Sequence, residues 1–171
     1  MQGAIFGDGA LVPGVTAVIA VLVVVVLVFR LGRRSGGQRR VASVQRLRPD
    51  AAVVLVSRTL ALDLAAEGFV SSADAADAGD VRWDPGAATD VVASAGEDGL
   101  VLWLGAPGEM SPVAVVPPAS VRSAAVDGLT VTVTAAVGDS TVELPLAVQR
   151  KDSTLESWTA FTARLQAFAA A

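Results

Sequence analysis

The chain has 171 residues, 53% hydrophobic and 18% charged, with a formal net charge of −4 and a mean hydropathy of +0.57. It contains no cysteine, histidine or tyrosine. This composition excludes disulfides, Cys/His zinc sites, histidine-ligated haem, thiolate nucleophiles and every catalytic triad that needs an imidazole base.

Residues 1–9 carry one charge, Asp8, and read as a short tail. Ala10–Phe29, ALVPGVTAVIAVLVVVVLVF, is uncharged. At 1.5 Å per residue, about twenty residues span the ~30 Å hydrocarbon core of a bilayer, and a helix satisfies its own backbone there. Pro13 and Gly14 lie near its start, where a helix tolerates them. A cleavable signal peptide would carry positive charge before the apolar stretch. Here residues 1–9 hold no Lys or Arg, whereas Arg30, Arg33, Arg34, Arg39, Arg40, Arg46 and Arg48 all follow it. Basic residues beside a span stay on the cytoplasmic side. The expectation is a single-pass cell-membrane protein with its amino terminus outside and its large carboxy-terminal part in the cytoplasm. Twelve arginines against one lysine, among much Ala and Val, suggest the GC-rich coding bias of a bacterial chain.

Residues 30–50, RLGRRSGGQRRVASVQRLRPD, read as a flexible basic stem because of Gly36, Gly37 and the scattered arginines. Arg30, Arg33, Arg34, Arg39 and Arg40 are candidates for holding anionic lipid head groups, each worth roughly 1 kcal/mol near such a surface. Their alternative role is only to fix topology. Nucleic acid is not an expected partner, since the run lacks interleaved aromatics. Residues 50–171 carry sixteen acidic and six basic side chains, a net −10, which an anionic leaflet repels.

Residues 51–171 read as a mainly-β domain. Residues 50–58 form a first strand, followed by a short helix over Leu60–Glu67 that Gly68 ends, and then a loop, residues 71–90. Asp90–Ala95 and Leu100–Leu104 flank the turn Gly96-Glu97-Asp98-Gly99. Val113–Val116 ends at Pro117-Pro118. Val121–Val126 and Leu129–Ala135 are joined by Asp127-Gly128, a strong hairpin signal. Leu129, Val131, Val133 and Ala135 alternate with threonines, giving one buried and one wet face. After Gly138-Asp139, Val142, Leu144, Leu146 and Val148 form an inward face, and Pro145 marks an edge or bulge. Ser153-Thr-Leu-Glu156 reads as a capping box that opens a terminal helix to about Ala170. Leu155, Trp158, Phe161, Thr162, Leu165 and Phe168 make its apolar stripe.

About seven short hairpin-linked strands and a terminal helix carrying Trp158 resemble the pleckstrin-homology-like (PH-like) family. The run Glu97-Asp98-Gly99-Leu100-Val101-Leu102-Trp103, then Val113–Val116 and Val121-Arg122, is similar to small bacterial membrane proteins with such a domain. The resemblance covers residues 90–171. Over 51–89 a helix and an acidic loop stand where the family has a simple hairpin. It implies a partly open barrel of antiparallel strands plugged by the final helix. Members that bind phosphoinositides carry a Lys/Arg cluster between the first two strands. Here that region holds Asp74, Asp77, Asp80, Asp84 and Asp90, so the resemblance implies a scaffold rather than an inositol-phosphate site.

No catalytic, cofactor or metal site is expected. The aspartates of residues 74–90 lack the alternating spacing of a calcium loop. The one lysine, Lys151, stands between Arg150 and Asp152 and so is no buried nucleophile. Ala10 and Gly14, four apart, match the small residues of close-packed membrane helices at a single pair. Trp103 alternates with Leu102 and Leu104. With the leucines inside, it faces solvent and is the candidate contact for a protein partner. The expected function is therefore a non-catalytic protein-interaction adaptor or membrane-complex subunit. Its partners are the lipid bilayer and a protein, with no small-molecule substrate. The alternative is anionic-lipid binding or sensing by stem and domain together.

Overall fold

A computed structural model describes residues 36–70, 90–149 and 153–171. The tail 1–9, the expected span Ala10–Phe29, Arg30, Arg33, Arg34 and most of the acidic loop lie outside the described residues. Among the described residues, no helix is long and apolar enough to cross a membrane.

Gly36–Ala171 is one compact unit. It begins with a helix, α1 (residues 36–47). There follow β1 (Ala52–Ser57), α2 (Leu60–Val70), β2 (Asp90–Gly96), β3 (Gly99–Leu104), β4 (Ser111–Val116), a 3-10 turn at Pro118–Ser120, β5 (Val121–Asp127), β6 (Thr130–Val137), β7 (Ser140–Val148) and α3 (Leu155–Ala170). The strands make one antiparallel sheet in the order β4-β3-β2-β1-β7-β6-β5. Seven antiparallel strands followed by a carboxy-terminal helix are compatible with a PH-like fold.

Turn chemistry sets the hairpins. Gly96 pairs with Gly99, leaving Glu97-Asp98 as the loop. Gly99 has φ +101°, and a Cβ there would sit 2.1 Å from the Val116 carbonyl oxygen of β4. Only glycine meets both conditions. Asp127 pairs with Thr130, so the β5–β6 loop is Gly128-Leu129, one residue later than the dipeptide Asp127-Gly128 suggested. Only the first loop residue has positive φ, +57°, the pattern of a II′ turn, which asks for glycine there. Pro112 sits on edge strand β4 beside a register shift that leaves Val113 as the extra residue, one of the few strand settings that accept proline.

The two halves of the sheet meet at a narrow seam. β1 pairs with β7 only at Val56–Val148 and Ser57–Ala147. Beyond that, the Gln149 N–H donates to the Leu55 carbonyl at 2.9 Å, and the Leu55 N–H donates to Ser153 Oγ at 3.1 Å. A serine hydroxyl thus continues the ladder where the β7 backbone departs. The Val148 N–H donates to Leu129 across the β6 side, so alternate residues, Pro145 included, direct their nitrogens to the other edge. That edge has no ladder partner before Ala147, which is why Pro145 is accepted there.

The main core lies between the inner face of the sheet, α2 and α3. It gathers Val54, Val56, Leu62, Phe69, Leu100, Leu102, Val131, Val133, Leu144, Leu146, Trp158, Phe161 and Leu165, among others. α2 packs on β7 and β4, and α3 on β5, β1 and β2, so the helices join the two halves that the seam joins poorly. α2 continues through Gly68 to Val70 because burial of Phe69 outweighs a mid-helix glycine, which costs about 1 kcal/mol. The cap of α3 is shifted by one residue from expectation. Thr154 is the N-cap and accepts from the Ser157 N–H at 3.1 Å, because Ser153 is engaged with β1. Of the expected stripe, Trp158, Phe161, Thr162 and Leu165 are buried and Phe168 is partly so, but Leu155, in the first turn, is 80% exposed.

The flexible stem expected over residues 30–50 is overturned for its described part. Residues 36–47 are helical and pack on the outer face of the sheet. The apolar pair Val41 and Val44, three apart, outweighs the two glycines at the front.

Alanine at Gly99 is expected to cost about 3 kcal/mol, since strain and overlap add there. Alanine at Gly128, where the space is open, should cost about 1 kcal/mol. Equilibrium urea unfolding of the two variants measures the difference.

Candidate functional site

The outer face of β1–β4 is where the sequence expectations converge, and α1 decides what it can do. Across the strands, Leu55, Val92 and Trp103 form one row and Val53, Ser94, Val101 and Val115 the next. Val53, Leu55, Val92, Val101 and Trp103, with Met110 and Val44, make a second apolar cluster, to which Val41, Ala51 and Val115 add partly buried surface. β1, β2 and β3 are therefore buried on both faces.

Trp103 does face away from Leu102 and Leu104, as strand alternation requires, but it is only 5% exposed. The expectation of an exposed partner contact at Trp103 is thus corrected: the chain's own α1 covers that face. Its indole Nε1–H donates to Ser94 Oγ at 2.8 Å, so the buried donor is satisfied. The Arg48 guanidinium lies 5.9 Å from the ring centroid, and Arg48 also forms an ion pair with Asp98 in the β2–β3 turn. Arg48, read as a topology signal, is a clasp within the domain.

Other bonds fix the helix. Gln45 Nε2 donates to the carbonyls of Pro49 and Ala51 at 3.0 and 3.1 Å, shaping the turn from α1 into β1. The Gly108 N–H donates to Ser43 Oγ at 3.0 Å, tying α1 to the β3–β4 loop. With 3.6 residues per turn, Gly37, Val41 and Val44 lie on one side, toward the sheet. Arg39 and Arg46, seven residues and two turns apart, lie on the opposite side and are exposed. Arg40 lies on the flank, half-buried, with its Nε buried and without a hydrogen-bond partner among the described residues. Of the five arginines expected to meet lipid head groups, the described residues thus place Arg39 on the outward line and Arg40 beside it. Arg30, Arg33 and Arg34 are outside them. Arg46 belongs with Arg39, and the seven-residue interval in the sequence was the signal for it.

A second polar cluster stands at the end of β1. Arg58 Nε donates to Asp63 Oδ1 at 2.7 Å, with the two side chains 5% and 15% exposed. Thr59 Oγ1 accepts from the Leu62 N–H at 3.1 Å and caps α2. Gln149 Nε2 donates to Asp90 Oδ1, joining β7 to the start of β2. These groups satisfy one another and hold strand ends, so their role is structural. On the outward side of α2, Leu60 and Leu64 are 74% and 62% exposed. Among the described residues there is no cluster of three or more acidic side chains able to hold a metal ion.

Comparison with protein-family models, curated proteins and solved structures finds no match to this chain. Its chemistry must be argued from its own residues.

Truncating Trp103 to alanine is expected to cost at least about 3 kcal/mol, the loss typical of a buried aromatic, rather than only to weaken a contact. Ser94→Ala, which leaves the indole N–H unpaired, should cost about 1–2 kcal/mol. Denaturant midpoints of the two variants check both values.

Proposed function

We propose that this chain is a single-pass membrane protein that holds a non-catalytic PH-like domain at the cytoplasmic face, where it serves as the protein-binding part of a membrane complex. The observation that carries the reading is the uncharged stretch Ala10–Phe29 with its arginines on one side only. The chemistry of the domain supports it. Without cysteine or histidine, and with its one lysine set between Arg150 and Asp152 in the sequence, the chain offers contact surface rather than a reacting group.

The helical state of residues 36–47 sharpens the reading. Between Phe29 and the first described residue of α1 stand six residues, 30–35, which extend at most about 21 Å. A stem of twenty-one residues would have let the domain roam. Six keep it close to the leaflet, which favours work on partners that are themselves membrane-bound.

Because the chain has no cysteine, single introduced ones report topology directly. A Gln2→Cys variant should react with a membrane-impermeant maleimide in intact cells, and an Ala171→Cys variant only after permeabilisation. Labelling of Ala171→Cys in intact cells would reverse the orientation. Crosslinking in native membranes with the span intact should then yield a discrete protein adduct. A chain that yields none is not a complex subunit.

A further inference from the structure

The outward line of α1 has the chemistry of a surface for anionic phospholipid. Arg39 and Arg46 project from the side opposite Gly37, Val41 and Val44, so they are the part of the helix that the domain cannot use itself. Among the described residues neither arginine has an ion-pair partner, whereas Arg48, two residues beyond Arg46, is drawn inward onto Asp98 and Trp103. The exposed positions between them, Ala42 and Gln45, and Gln38 beside Arg39 carry no charge. The line is therefore purely cationic, on a chain whose residues 50–171 hold sixteen acidic and six basic side chains. A free acidic ligand in solution would meet that negative field. A surface held within the reach of residues 30–35 would meet α1 first.

We propose that α1 docks along its Arg39–Arg46 line on the anionic head groups of the adjacent leaflet, and that this contact orients the domain. The inference rests on the membrane reading above. Docked this way, α1 lies between lipid and the β1–β3 outer face, while α2, packed with α3 on the inner face of the sheet, points into the cytoplasm. The apolar cluster under α1 matters here. A loose basic segment would also bind lipid, but only a helix fixed to the sheet by Val44, the Ser43–Gly108 bond and the Arg48 clasp transmits orientation to the strands.

The test uses the full chain in nanodiscs, with an environment-sensitive fluorophore on an Ala42→Cys variant, between the two arginines. A second label at Ala125→Cys on the exposed β5 edge serves as control. In discs of 30% phosphatidylglycerol at low salt, the Ala42 label should shift to the blue relative to pure phosphatidylcholine, and 0.5 M salt should reverse the shift. Replacing Arg39 and Arg46 by Gln should reduce the docking equilibrium constant about 30-fold, which is about 1 kcal/mol for each charge. The control label should not respond. A full chain that inserts but gives the same Ala42 signal in both lipids overturns the docking and leaves the anchor standing. A chain that fails to enter the discs overturns both. A shift that survives the double substitution assigns the contact to other residues and likewise overturns the proposal.

Discussion

A sheet whose strands are apolar on both faces must be covered twice, and β1, β2 and β3 impose that demand here. Their inner side chains, such as Val54, Ala93 and Leu102, join the core under α2 and α3. Their outer side chains, Leu55, Val92 and Trp103, would face water if nothing lay over them. Fully burying a side chain of this size contributes about 1.5–3 kcal/mol. The cover is α1, whose short stripe of Val41 and Val44 packs into one cluster with Trp103, Leu55 and Val92. The division of the described arginines and the outward direction of Arg39 and Arg46 follow from that cover.

The β-rich remainder was legible because its signals are local. Gly99, Gly128 and Gly138 mark turns, the Val/Thr alternation of β6 reports one wet face, and the spacing of Trp158, Phe161 and Leu165 reports a helix side. The outer helix was not legible by the same means. Gly36, Gly37 and the scattered arginines score as a linker, and only Val41 and Val44 betray packing. A clue lay elsewhere in the chain. Val53-Val-Leu-Val56 and Leu100-Val-Leu-Trp-Leu104 are continuous runs without the alternation of β6, which is how strands covered on both sides read. For this reason the pattern places Trp103 on the correct face of its strand but not in its actual, covered environment. Alternation tells which side a residue takes and is silent on what lies over that side.

Charge separates by layer rather than by sequence block. Arg48 and Arg58 are engaged within the domain, the former through Asp98 and Trp103, the latter through Asp63. The four described arginines of the run of seven therefore differ in duty: Arg48, just past the helix, clasps the fold, helical phase sets Arg39 and Arg46 on the outer surface, and Arg40 lies on the flank.

The narrow junction between α1 and the sheet has a mechanical consequence. Tension entering the domain at residue 36 loads α1 before any strand, and a short helix with a single fully buried valine yields by peeling, one contact at a time. β1, flanked by β2 along its whole length, resists in shear. Release of residues 36–50 would pay out about 50 Å of chain while the β-fold stayed intact. The outer helix is in this sense a breakaway link, sparing the strands when force enters the domain at residue 36.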